Sequence, residues 1–207
     1  APLAPSASFA PSVPASAQGA PPLSLLGEGV REKKVAFVGV KVYALALYAD
    51  AEGCRAAGGD LASPTYEKAL EVDMLMGVSG AQFWEALDDA LGPRLAEIAT
   101  NAATAEDEEG NFMTVTAERA EEAEERAMEA AEELRGWIGG RKLGKGARLS
   151  LRWAGRGGGA AVEVAMGGES VQLGSEELAA ALLDVYVGDD PVSPAAKDAF
   201  AAGAAAL

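Results

Sequence analysis

Histidine is absent from this 207-residue chain. With it go the Ser-His-Asp triad, the Cys-His dyad, imidazole metal sites and the commonest general base at neutral pH. Cysteine occurs once, at Cys54, so no internal disulfide can form and a disulfide-built secreted scaffold is excluded. A lone cysteine of this kind reads as a packing residue. No run of 18 apolar residues free of charge occurs between Gly27 and Leu207, so neither a transmembrane helix nor an integral membrane protein is expected. Large side chains are scarce as well. Much of the 49% hydrophobic share is alanine, and a few bulky residues must carry most of the burial energy. Basic residues are outnumbered, 17 against 32 acids, for a net charge of −15. That field opposes a nucleic-acid backbone and an anionic membrane surface, so no nucleic-acid partner is expected. The acids are unevenly spread, however, and leave room for one basic pocket.

What is present fits one domain with a tail. Residues 1–22 hold six of the ten prolines, with much Ala and Ser and no charge before Glu28. Such a segment buries too little to offset its ordering entropy and is expected to be disordered. The chain also begins without Met, and two readings of the segment stand: a plastid transit-peptide remnant or a plain low-complexity linker. The domain is expected over residues 23–207.

Residues 34–49 are apolar at both parities and rich in valine, which predicts one buried, central strand. A short helix is expected over Ala51–Ala57, and Ala69–Met76 alternates as a half-buried strand. Ser79 suits the cap of a helix carrying Phe83, Trp84, Leu87 and Leu91, which Gly92-Pro93 should interrupt or end. After a polar, acidic stretch at 101–111, the Ala120, Ala123, Ala127, Ala131 and Leu134 stripe predicts a solvent-facing helix from Thr116 to about Arg135. Its glutamates match no metal motif, and no cofactor or metal site is expected. Ala147–Trp153 and Ala161–Met166 read as a hairpin across the Gly155–Gly159 turn, with a further strand at Ser170–Leu173. The glycines there are no phosphate loop, since no Lys-Ser/Thr follows. Ser175 and Ser193-Pro194 open two closing helices. Strands and helices segregated in this way predict an α+β fold with an antiparallel sheet.

The residues that suggest chemistry are Arg31, just after Gly27 and Gly29, and Tyr43 inside the buried run. A guanidinium beside a phenol in an apolar cleft seats a carboxylate, through a charged fork and a third donor. The glycines are read as letting backbone and ligand approach closely. A bland reading stands beside this one: Arg31 pairs with Glu28, Glu32 or another acid, and Tyr43 meets a backbone carbonyl. Lys41 shares parity with Tyr43 and is a further cation, or else marks an exposed stretch of strand.

The run GEGVREKKVAFVGVKVYALALY from Gly27 to Tyr48 resembles the N-terminal signature of the chalcone isomerase-like superfamily. The Leu91–Leu95 segment and Leu178–Lys197 are similar to later family segments in the same order. The resemblance spans roughly residues 23–207 and is weakest at 100–135. It implies the chalcone isomerase fold, an antiparallel β-sheet packed against α-helices with a ligand cleft between them. It also places Arg31 at the enzymes' catalytic arginine, Tyr43 at a threonine, Phe83 at their active-site tyrosine, Ala90 near their asparagine and Ala196 near a C-terminal Thr or Ser. With those hydroxyls and that amide gone, several preorganised donors are missing. The Arg31/Tyr43 pair resembles the plastid fatty-acid-binding branch. The resemblance therefore implies a non-catalytic, stromal protein of the chloroplast that holds a fatty acid on Arg31, Tyr43 and Phe83. The acyl chain is expected among residues such as Phe37, Leu45, Met74 and Leu87. The alternatives are a chalcone-flavanone isomerase (an intramolecular lyase), a non-catalytic flavonoid-pathway protein, or an interaction protein acting through the acidic helix at 118–133.

Overall fold

Alternating apolar residues need a second layer to cover them, and here the helices supply it. The computed structural model describes residues 9–35, 38–102, 117–155 and 161–207. In chain order the first elements are β1 (Ser12–Val13), β2 (Leu23–Val35), β3 (Val38–Ala49), α1 (Ala51–Ala56), β4 (Lys68–Met74), β5 (Val78–Ser79) and α2 (Gly80–Ala102). There follow α3 (Ala117–Gly139), β6 (Lys142–Leu143), β7 (Arg148–Trp153), β8 (Val162–Met166), β9 (Glu169–Leu173), α4 (Glu176–Val187) and α5 (Pro194–Ala206). Seven strands form one antiparallel sheet in the order β1-β2-β3-β4-β7-β8-β9, and β5 pairs with β6 beside it.

The two faces of the sheet differ in what covers them. Tyr43, Leu45 and Leu47 of β3, Leu70, Val72 and Met74 of β4, and Leu149, Leu151 and Trp153 of β7 face the main core. Leu87 and Leu91 of α2 and Leu182 and Tyr186 of α4 lie in that same core. The Trp153 indole donates to the Ala179 carbonyl at 2.7 Å and ties β7 to α4. The opposite face carries Ala44, Ala46, Tyr48 and Ala69, which cluster with Phe9 and Leu23.

Three sequence expectations are amended. The apolar run 34–49 is not one strand: β2 ends at Val35 and β3 begins at Val38, paired Val35 to Val38. The fully buried part is Tyr43–Ala49, covered on both faces as anticipated. Pro93 lies inside α2 and does not end it. The Arg94 guanidinium donates to the Ala90 carbonyl at 2.7 Å and to Asp184 of α4 at 2.8 Å, so tertiary contacts hold the helix across the proline. The disorder expected over residues 1–22 is revised for residues 9–22. Ser12–Val13 pairs with β2, the Tyr48 hydroxyl donates to the Ala10 carbonyl at 2.9 Å, and the Ser16 hydroxyl donates to Glu67 at 2.7 Å. Composition missed this because a few specific anchors, rather than an apolar pattern, hold the segment. The acidic stretch at 106–109 and most of the Gly155–Gly159 turn lie outside the described residues.

Lys68, at the start of β4, is buried. Its ammonium donates to the Ser63 and Tyr66 carbonyls and lies 3.6 Å from the centre of the Tyr66 ring. Burial lowers its pKa from 10.5 to about 8, against the opposing charge of Asp60. The unfolded chain therefore holds more protons between those two values, so stability rises with pH there, by up to about 1.4 kcal/mol per pH unit. The buried tyrosines, whose pKa values are raised, oppose this only above pH 10. The urea midpoint should climb from about pH 8 to about pH 9.5, and Lys68→Met should flatten the climb. A wild-type midpoint that stays level over this range contradicts the assignment.

Candidate functional site

The register of the first hairpin builds the site. Arg31 of β2 stands opposite Tyr43 of β3, and the pairing then slips so that Glu32 faces Lys41. Val42 is the extra residue of this bulge. Directly opposed residues project from the same face of a sheet, so the guanidinium and the phenol are neighbours. Because the bulge breaks the alternation, Val40, Val42 and Tyr43 all face the same hollow, and on β2 it is Lys33 that joins Arg31 there. Lys41 falls outside that hollow and is exposed, which corrects its reading as a second cation beside Tyr43. Its parity with Tyr43 is cancelled by the inserted residue.

The hollow is a cavity of about 410 Å³ between the hairpin, α2 and α4. Besides the hairpin residues, Phe83 and Leu87 of α2 and Val185 and Tyr186 of α4 line it. Phe83 packs against Tyr43 with ring centroids 6.2 Å apart, tilted by 48°. Two expected lining residues are placed differently, and a third is not among the described residues. Leu45 and Met74 are sealed in the main core away from the cavity, and Phe37 lies outside the described residues. Ala90 borders an adjoining, more polar groove that shares Arg31 and Lys33 with the cavity.

Arg31 is half-buried, and its Nη1 donates to the Val192 carbonyl at 2.9 Å, just ahead of α5. Among the described residues it has no carboxylate within ion-pairing distance, so the pairing with Glu28 or Glu32 does not occur there. The Ser193 hydroxyl donates to the Val30 carbonyl at 2.9 Å and fixes the same junction from the other side.

The Tyr43 hydroxyl interacts with another phenol, Tyr186 of α4, and both side chains line the cavity. Burial raises the Tyr43 pKa, and the Arg31 charge and the Tyr186 bond pull it partly back. Burial also drives Tyr186 well above the usual phenol range, with Tyr43 adding to the rise. The interaction between the two hydroxyls favours ionisation of Tyr43 over that of Tyr186. Both phenols keep their protons at neutral pH. Tyr186 is a cavity-lining residue that sequence reasoning does not single out. In sequence it sits on the apolar stripe of a helix, where a tyrosine reads as packing.

The glycine pair has a different role from the one expected. A Cβ at Gly27 would lie 2.7 Å from the Ala199 backbone, and one at Gly29 would collide with Ala196. These glycines admit α5 onto β2, so Ala196 is buried in a helix-strand seam and does not line the cavity. Among the described residues, no three His, Cys, Asp or Glu side chains come together as metal ligands. Nor is any described helix long and apolar enough to cross a membrane.

Comparison with known proteins agrees with this architecture. A profile of the family described as chalcone isomerase like matches residues 21–201. The crystal structure of a fatty-acid binding protein from Arabidopsis thaliana superposes with a TM-score of 0.67. It shares 19% sequence identity, over 96% of this chain and 93% of that one. At that identity the likeness is one of fold: an antiparallel sheet packed with helices. The chain belongs to the chalcone isomerase-like family.

Proposed function

We propose that this chain binds a fatty acid without transforming it. The carboxylate sits on Arg31 and Tyr43, and the acyl chain runs past Phe83 into the cavity. The observation that carries the reading is a half-buried guanidinium with no acid paired to it among the described residues, in a chain of net charge −15. Its Val192 bond fixes its position and leaves its other N–H groups to a ligand. Tyr43, which lines the cavity and keeps its proton at neutral pH, supplies a further donor. The cavity of about 410 Å³ falls within the range of small-molecule sites, about 300–1,000 Å³. Its wall at Phe83, Leu87 and Val185 suits a hydrocarbon. The binding domain is taken as residues 23–207, and the chloroplast stroma, as the family's fatty-acid-binding branch implies, as its location.

Cyclisation of a chalcone is the second reading, and Arg31, at the position matching the enzymes' catalytic cation, favours it. Phe83 lines the cavity without a hydroxyl to offer, and Ala90 borders the neighbouring groove without an amide. Losing such donors is costly to catalysis, by about 2.7–4 kcal/mol for one oxyanion donor.

A titration separates the two. The protein should bind a long-chain fatty acid saturably and at least tenfold more tightly than the alcohol of equal length, and it should leave a chalcone at its spontaneous rate of closure. Equal affinity for acid and alcohol would remove the head-group seat, and turnover of the chalcone would make the protein an isomerase.

A further inference from the structure

Lysine is scarce here and strongly localised. Of seven lysines in the chain, Lys68 is buried and Lys197 is bound to Asp189 at 3.8 Å and to the Gly188 carbonyl at 2.8 Å. The other five are exposed: Lys33, Lys34 and Lys41 on the β2-β3 hairpin, and Lys142 and Lys145 around β6. None of the five is ion-paired among the described residues.

The backbone brings these two groups to one end of the molecule. The Val42 carbonyl of β3 accepts from the amides of Leu75 and Met76. The next residue, Gly77, packs against the 143–145 turn, and Ser79 of β5 pairs with Lys142 of β6. On the hairpin itself, Lys33 stands opposite Val40, and Lys34 opposite Gly39. Two acids lie on the same hairpin, Glu32 opposite Lys41 and Glu28 farther along opposite Ala46, and Glu85 of α2 also lines the cavity.

Two of the three exposed large hydrophobics among the described residues also lie here: Val38 at 63% and Met76 at 37%. The cavity reaches the same end, where Lys33, Val40 and Met76 line it. A basic collar around exposed apolar side chains suits the boundary of an anionic bilayer, where lysine stems lie along acyl chains and ammonium groups meet phosphates. An overall charge of −15 does not forbid this. At physiological ionic strength the Debye length is about 8 Å, so a surface touching this end responds to the local lysines and not to acids elsewhere.

We propose that the end of the molecule formed by the β2-β3 hairpin and the β5-β6 ladder docks reversibly on an anionic lipid bilayer, with the cavity mouth against the membrane. Docking itself does not depend on the ligand being a fatty acid. Its purpose, taking that ligand from or returning it to the bilayer, does rest on the reading above.

Vesicle flotation tests it with the whole chain. The protein should float with vesicles of equimolar phosphatidylcholine and phosphatidylglycerol, stay behind with phosphatidylcholine alone, and be released by added salt. Lys34→Glu, Lys41→Glu, Lys142→Glu and Lys145→Glu combined should weaken flotation by on the order of a hundredfold or more, since each lysine near an anionic surface contributes about fivefold. Fatty-acid titration in solution should be unchanged in that variant, because Lys33, which lines the cavity, is left in place. Failure to float with the anionic vesicles overturns docking, and equal flotation with both vesicle types or salt-insensitive flotation overturns its dependence on an anionic surface, even if the variant proves unstable. Binding to polyglutamate but not to vesicles would point to an acidic protein as the partner and overturn the lipid assignment. Loss of fatty-acid binding with flotation intact would break the ligand reading alone.

Discussion

Replacing Arg31 with alanine should weaken fatty-acid binding by tenfold to a hundredfold while leaving the thermal melt nearly unchanged. A hydrogen bond to a charged group contributes about 1.5–3 kcal/mol, and the guanidinium fork offers more than one. The substitution also removes the positive charge that offsets transfer of a carboxylate from water into a largely apolar cavity. The fold has little to lose, because the side chain makes a single described hydrogen bond, to Val192, and no described ion pair. Removal of an unpaired, half-buried cation should be close to neutral for stability. Affinity for the alcohol of the same chain length should change far less than affinity for the acid. The idea fails if acid and alcohol lose affinity in equal measure, because Arg31 would then be shaping the cavity and not holding a head group. A large fall in melting temperature would likewise return Arg31 to a structural role.

That Arg31 and Tyr43 would be neighbours was legible in the sequence, whereas the other polar groups around the cavity were not, and the difference is physical. Arg31 and Tyr43 lie twelve positions apart on adjacent strands, and residue type with local resemblance identifies them. Their environment depends on longer reach. Tyr186 meets Tyr43 from a helix near the C-terminus, and nothing around Tyr186 separates a hydrogen-bonding phenol from a core aromatic. The exchange of Lys41 for Lys33 follows from one inserted residue, Val42, which alternation cannot reveal. The break between β2 and β3 escaped notice for a related reason. Apolar residues continue across it in the sequence, without the Asn-Gly or Asp-Gly that signals a hairpin. Element types elsewhere followed from local signals, as at Ser175, whose hydroxyl accepts from the Leu178 amide at 3.1 Å. Pro93 shows the limit of such signals, because the Arg94 contacts to α4 outweigh a strong helix breaker.

The seam between α5 and β2 gives the largest expected stability change, and its sign is the test. Gly203 of α5 lies so close to the Leu26 carbonyl that an added Cβ would overlap it. In a solvent-facing helix, Gly→Ala stabilises by about 0.5–1 kcal/mol, because alanine loses less backbone freedom on folding. Gly136 of α3 meets that condition, since a Cβ there would have open space around it. At Gly203 the opposing atoms are backbone, which cannot swing aside as a side chain could, and overpacking of this kind costs typically about 1–3 kcal/mol. Fraying of the last helical turn is opposed by the Arg55 guanidine group, whose Nε donates to the Leu207 carbonyl at 2.9 Å. Gly203→Ala should therefore lower the melting temperature by several degrees, while Gly136→Ala raises it slightly. The same shift should reach the site. A displaced α5 carries with it Ser193, bonded to Val30, and Val192, bonded to Arg31, so Gly203→Ala should also weaken fatty-acid binding. If both alanine variants stabilise the protein, α5 does not approach β2 closely. The glycines of β2 would then be free to serve a ligand, and the anchor of Arg31 on Val192 would lose its support.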